Sequence, residues 1–324
     1  MLCGLKDFHM EISERAKGHI CVLTTNLMFG VFIPISKYLM TDFASPLFVT
    51  MCRFIGATIL FWTASFFIKD NKVAPKDLLW FLFFALTGIV FNQGLFIFAL
   101  GLTSPVDASV ILTATPFSAM AVAALLVGDP LTKRKLAGAC VGAAGAVWLL
   151  LSASGGGLGS GSVSGDLLVF LATVSAAVYF VTAKPLTLKY SPITIMKWMF
   201  LFSTIIFIPF VPKAYFSEDS LKAALGGWEI AGLLYVVCGA TFLAYLFQNM
   251  GIKRIRPATV AMYIYVQPVV SSAIAVMVGQ DTFSWGKLFA SFLVFAGVYI
   301  VTTSPRTAEQ LKIAEEVEEQ GRRR

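Results

Sequence analysis

The chain has 324 residues, 57% of them hydrophobic and only 13% charged, with a net charge of +7. That balance excludes a soluble globule, and the basic excess sits in short loops and the tail rather than in a nucleic-acid footprint. The apolar residues gather in runs of about 20, the length a helix needs to cross about 30 Å of hydrocarbon, and they lack the alternation of barrel strands. The predicted class is an all-α multispanning membrane protein.

In chain order, a polar arm of mixed charge (1–17) precedes a first apolar run at His19–Met40. That run has no A-x-A cleavage site and ends in Ser36-Lys37, so it reads as a retained span. Nine more are expected at Pro46–Ile68, Leu78–Leu100, Val106–Val127, Leu136–Leu151, Asp166–Lys189, Ile193–Pro212, Trp228–Met250, Ala258–Gly279 and Gly286–Ser304. Trp80, Trp228 and Trp285 fall near span starts, where amphipathic rings favour the water–lipid interface. The Gly/Ser stretch 152–164 is read as a flexible linker; no Lys-Ser/Thr follows to make it a phosphate cradle. The tail 305–324 carries mixed charge. Cys3, Cys21, Cys52, Cys140 and Cys238 are scattered, without C-x-x-C or a His cluster, and suggest neither a disulfide framework nor a metal site.

Basic residues set the orientation. Lys69, Lys72 and Lys76, then Lys133, Arg134 and Lys135, then Lys253, Arg254 and Arg256 all share a side with the N-terminus. Only Lys37, Lys213, Lys222 and Lys287 lie opposite, so both termini are expected in the cytoplasm.

The chain contains one pattern twice. A shift of 152 carries Pro105 onto Pro257, Pro116 onto Pro268, Asp129 onto Asp281, Lys135 onto Lys287 and Gly145 onto Gly297. Nearer the start the offset is about 147: Gly18 meets Gly165 and Lys37 meets Lys184, while Ser45-Pro46 reaches Ser191-Pro192 one residue out of register. Two repeats are therefore expected, 18–151 and 165–304. Five spans per repeat is an odd number, so the second copy should enter the membrane inverted, the architecture of alternating-access carriers.

At this point the chain resembles the drug/metabolite transporter superfamily, specifically its ten-span type built from two EamA domains. The likeness rests on the run from Ala99 to Pro105, Thr115-Pro116, Asp129 and the Gly138/Gly142/Gly145 ladder, and on Pro257-Ala258, Gln267-Pro268, Asp281 and Gly297. It covers about Lys17 to Ser304, and the family often has Glu where this chain has Asp129 and Asp281. The resemblance implies a bacterial inner-membrane exporter of amino acids, related metabolites or drugs, without a cofactor.

Polar side chains inside a bilayer face a cavity or a partner helix. Asn26 with Gly30, Pro34 and Lys37 forms one stripe of the first span. Asn92 and Gln93 are adjacent in the third, so at most one need face a lumen. Thr113 and Pro116 share a face, as do Tyr245 and Gln248 with Thr241, and Tyr263 and Gln267 just before Pro268. The candidate solute-binding set is Asn26, Asn92, Gln93, Thr113, Tyr245, Gln248, Tyr263 and Gln267, with helix breaks at Pro34, Pro116 and Pro268. For Asn26, Asn92 and Gln93 a plain interhelical clamp is an equal alternative. Beside the repeat proline, the site reading is favoured for Tyr263 and Gln267. The glycine ladder reads as close helix packing, and His19 as an interfacial residue.

Of the intramembrane charges, Arg53 needs a cavity or a carboxylate partner, Lys37 and Lys184 snorkel from span ends, and Asp107 and Asp166 cap helix starts. No Asp or Glu falls in the middle third of any span. A neutral, zwitterionic or anionic solute is therefore expected over a lipophilic cation, by facilitated or exchange transport with no coupling ion assigned. A multidrug efflux carrier is the alternative, and a channel or receptor a remoter one. No enzyme constellation such as H-E-x-x-H is present, and no particular oligomer is required.

Overall fold

The computed structural model describes residues 13–68, 73–100, 102, 111–129, 131–153, 163–216, 226–277 and 285–303, and all of the regular structure among them is helical. The helices are α1 (Glu14–Asp42), α2 (Pro46–Ser65), α3 (75–100), α4 (Thr115–Val127) and α5 (Lys133–Ala153). They continue with α6 (Val163–Thr182), α7 (Pro192–Phe216), α8 (Gly227–Arg254), α9 (257–277) and α10 (Trp285–Thr302). Six of them contain stretches long and apolar enough to cross a membrane: α1, α2, α3, α6, α7 and α8. Thr115–Val127 and Leu288–Val301 are shorter apolar helices. The fourth expected span loses its beginning because 103–110 lie outside the described residues, and α5 opens on three basic residues. Asp107, Asp281, most of the linker and the tail also lie outside, as do the side chains of Lys37 and Lys287.

Local chemistry sets the helix ends. Ser45 and Ser191 each accept a hydrogen bond from the backbone N–H three residues on (Phe48 and Thr194), and each is followed by a proline at the first helical position. That is the donor-poor start a helix prefers. Gly128, at φ 64, ends α4 in the left-handed conformation. Asp129 then receives the Lys135 ammonium at 2.7 Å, both side chains being buried. This motif therefore closes the α4–α5 corner.

Two pairs of helices cross antiparallel through repeat-related residues. On α2 and α7 the threonines Thr58 and Thr204 meet hydroxyl to hydroxyl at 2.9 Å. Around them Phe54 packs on Phe207 and Phe61 on Phe200, with ring centroids 5.1 and 5.5 Å apart. The offset of 146 that takes Ser45 to Ser191 takes each of these α2 residues onto one of the α7 residues, so one contact is the image of the other. On α5 and α10, a Cβ at Gly297 would lie 2.4 Å from the Gly142 nitrogen, and one at Gly145 would lie 2.6 Å from the Ala290 oxygen. The ladder is thus backbone-to-backbone packing, as small residues allow in membranes.

Three helices are irregular. α3 carries π-helical turns at Leu86–Gly94 and α8 carries them at Tyr235–Leu243. α9 passes through a 3-10 turn at Tyr263–Tyr265. Pro116 and Pro268 are not mid-helix kinks. In α4 the helix starts at Thr115, and in α9 it resumes at Val266, so each proline sits in a first turn where its missing N–H costs nothing. The two breaks touch: the Tyr265 hydroxyl donates at 2.8 Å to the Thr113 carbonyl, which the interruption has released. Pro34, by contrast, lies inside α1. Large apolar side chains such as Leu125, Phe292 and Tyr299 point outward, as lipid contact requires.

Candidate functional site

The central layer is built by α1, α2, α3 and α8. Gln93 leaves α3 from the end of its π-helical stretch and donates through Nε2 to the Tyr245 hydroxyl on α8. Arg53, on α2, donates through Nε to Thr241 Oγ1 at 2.9 Å, one turn of α8 before Tyr245. The Thr241 hydroxyl spends its own proton on the Val236 carbonyl, five residues back, a reach that π-helical winding provides. One face of the guanidinium lies over the Phe32 ring, 4.7 Å from its centroid. Arg53 is 8% exposed, Thr241 0% and Tyr245 7%.

A buried charge is expensive, and the sequence leads to the expectation of either a cavity or a carboxylate beside this one. Among the described residues no carboxylate lies within ion-pair reach of Arg53; a threonine hydroxyl and an aromatic face hold it. Gln93 Oε1 is also buried without a hydrogen-bond partner. Below this layer the Tyr179 hydroxyl donates to Asn249 Oδ1 at 2.9 Å, and Asn249 donates to the Tyr245 carbonyl.

A second polar group lies on α1 and α9. Gln267 donates to Asn26 Oδ1 at 2.8 Å, and the same stripe of α1 brings Gly30 against Val270 and the Gln267 carbonyl. Phe29, one turn from Asn26, meets the Tyr245 ring edge-on, so the two groups adjoin.

The remaining candidates separate. Asn92 donates to the Ala172 carbonyl and clamps α3 to α6. Thr113 is buried where its carbonyl receives Tyr265, away from the Arg53 layer's bonds. Gln248 is buried on α8, one turn from Tyr245. Tyr263 pairs with His19 Nδ1 at 3.0 Å, so His19 is a helix-to-helix contact as well as an end residue. Lys184 is half-buried, and its ammonium donates to the Ile255 carbonyl at 3.0 Å. The sequence reading left out Tyr179 and Asn249. An asparagine four residues past Tyr245, on the same face of α8, was the available signal.

Both ends of the bundle are tied. At one, Arg254 bonds Glu14 at 2.8 Å, and Asp77 accepts from Tyr190 at 2.5 Å and from Lys189. The Asp77 carboxylate, with the Tyr190 hydroxyl, holds Lys189 above the usual lysine pKa. At the other end the Tyr38 hydroxyl donates to Glu229 at 2.7 Å. Asp77 and Glu229 are related by the offset of 152, and each is in the first turn of its helix.

Comparison with known proteins places this architecture. The EamA-like transporter family matches the chain twice, over residues 16–151 and 163–303. A Salmonella typhimurium protein named "Probable amino-acid metabolite efflux pump" is 30% identical over 263 residues, covering 79% of this chain and 85% of that protein. An uncharacterized transporter of Archaeoglobus fulgidus is 25% identical, covering 88% of this chain and 98% of its own length. Protein WALLS ARE THIN 1 of Arabidopsis thaliana is 24% identical, covering 90% and 83%. A crystal structure shares the fold at a TM-score of 0.74 with 19% identity, covering 88% of this chain and 96% of that one.

Proposed function

The chain belongs to the EamA-like transporter family, and on that premise we propose that it exports amino acids or related small metabolites by alternating access around the α1–α2–α3–α8 layer. It is an integral membrane transporter of duplicated design. The observation that carries the finer reading is the buried cluster Arg53–Thr241–Tyr245–Gln93, which joins residues of both copies and contains a buried charge. A polar cluster at that depth is costly unless it meets a solute or water during the cycle.

The antiparallel crossings of α2 with α7 and α5 with α10, each through repeat-related residues, support an inverted relation between the copies and ten spans in all. The basic loops support cytoplasmic termini in a bacterial inner membrane. In the cycle the copies rock about these crossings, and the ties at the two ends open in turn. Asn26, Gln267, Gln248 and Tyr263 line the path on α1, α8 and α9.

Counterflow in proteoliposomes, loaded with single amino acids and run without an ion gradient, tests this reading. Saturable exchange of one chemical class is the expected result. Exchange of unrelated lipophilic cations instead would favour a multidrug carrier, and non-saturating flux a channel.

A further inference from the structure

Arg53 and Gln93 bond two hydroxyls one turn apart on α8, those of Thr241 and Tyr245, so the guanidinium and the amide meet the same stretch of one helix. Each is incompletely satisfied in a complementary way. The guanidinium has five N–H donors and a full positive charge, and its partners among the described residues are neutral. On the amide, Oε1 is a buried acceptor with nothing to accept from. Leaving such groups unpaired costs free energy comparable to a lost hydrogen bond or more. The ligand that would satisfy both has an anionic, bidentate acceptor and, a bond or two away, a cationic donor.

Resting on the carrier reading above, we infer that Arg53 and Gln93 form the head-group subsite of that carrier. Arg53 receives the carboxylate of an α-amino acid and Gln93 Oε1 receives its ammonium. The surroundings define the rest of the solute. Phe32 lies against the guanidinium, and Phe29 and Phe200 meet Tyr245 edge-on. No described charge bonds in this layer besides Arg53, so the side chain accepted here is uncharged and apolar. Arg53 thus discriminates on charge: it neutralises a carboxylate and repels an amine that lacks one.

The test uses the full chain in proteoliposomes, with labelled L-phenylalanine as the probe. Phenethylamine lacks the carboxylate and 3-phenylpropionate lacks the ammonium. Expected are saturable phenylalanine counterflow, competition by 3-phenylpropionate, and at least tenfold weaker competition by phenethylamine. Arg53→Gln should lower counterflow by about 30-fold or more, the size of a lost charge-assisted pair, with the melting temperature retained. Wild-type flux in a folded Arg53→Gln variant, or equal competition by phenethylamine, overturns the inference and leaves the carrier reading standing. If Arg53→Gln does not fold, the competition series decides, together with Gln93→Met, which should weaken phenylalanine far more than 3-phenylpropionate. If wild-type protein shows no counterflow but both carboxylates raise its melting temperature, the carrier reading fails and the subsite stands. If there is no flux and neither carboxylate raises the melting temperature, the subsite is overturned.

Discussion

The α2–α7 crossing and the α3–α8 layer were made by the same duplication and have been used in opposite ways. At the crossing the repeat-related residues are alike: Phe54 and Phe200, Phe61 and Phe207, Thr58 and Thr204. Like residues on two antiparallel helices make a self-complementary contact, as in an isologous dimer interface. In the polar layer the related residues differ. Met199 stands where Arg53 would repeat, Ile89 where Thr241 would, Tyr245 where Gln93 would, and Ile97 where Asn249 would. Equal residues give a pivot that looks the same from either copy. Unequal ones give a single site with one polarity, which a solute with two distinct ends requires. Symmetry shaped the scaffold here, and its loss marks the candidate site.

The comparison breaks most severely at a place where symmetry is strictest. Gly297→Val places its Cβ about 2.4 to 2.6 Å from the Gly142 and Gly138 backbone, far inside van der Waals contact, with no flexible neighbour to yield. Overpacking costs about 1–3 kcal/mol where a core can adjust, and a backbone clash exceeds that range. The expected outcome is loss of the monodisperse peak in size-exclusion chromatography and a melting temperature lower by many degrees. A wild-type melting curve would show that α5 and α10 separate without harm to the fold.

Arg53→Met sharpens the comparison from the other side, because it installs the residue that the second copy already has. Replacing a buried charge by an apolar side chain of similar length is often neutral or stabilising. This variant should therefore melt at the wild-type temperature or higher while counterflow falls by about 30-fold or more. A large fall in stability would instead make Arg53 a structural member of the layer.

The two ends offer a subtler contrast. Tyr38–Glu229 and Tyr190–Asp77 are comparable hydroxyl–carboxylate ties on opposite ends, and native cysteines report on each. Cys52 packs against Tyr215 near the first, and Cys21 lies toward the end tied by Glu14 and Arg254. Removing one tie worth about 1 kcal/mol shifts a two-state population about fivefold. Tyr38→Phe should speed maleimide labelling of Cys52 and slow that of Cys21; Tyr190→Phe should do the reverse. Parallel changes at both cysteines would mean general loosening rather than alternation.

Much of the scaffold was readable from residues with few substitutes. Paired prolines, glycines and Ser-Pro steps gave the duplication because each imposes a backbone geometry that a neighbour cannot supply. The site was less legible because its geometry depends on winding. π-helical turns shift the phase of α3 and α8, so ideal helical spacing could not tell that Gln93 turns to Tyr245 while Asn92 turns to Ala172. Nor does spacing give partners: Arg53 looked in need of a cavity or a carboxylate, and its bonds in the structure go to one hydroxyl and a ring face. Lys184 found a carbonyl exposed where α8 ends at Ile255.

The smallest effect belongs to the polar contact at the pivot itself. Thr58 already donates to the Phe54 carbonyl at 2.8 Å, so its oxygen can only accept from Thr204 across the crossing. An interhelical bond of this kind in a membrane averages about 0.6 kcal/mol. Thr58→Val and Thr204→Val, combined in a double-mutant cycle, should therefore show a coupling of about that size, with counterflow close to wild type. The four phenylalanines around them, two related pairs in edge and stacked contact, would then hold the crossing. A coupling above about 2 kcal/mol, at the top of what such bonds reach, would move the pivot from aromatic packing to the hydroxyl pair. The site and its scaffold would then rely on the same kind of contact, and the division between them would fail at its centre.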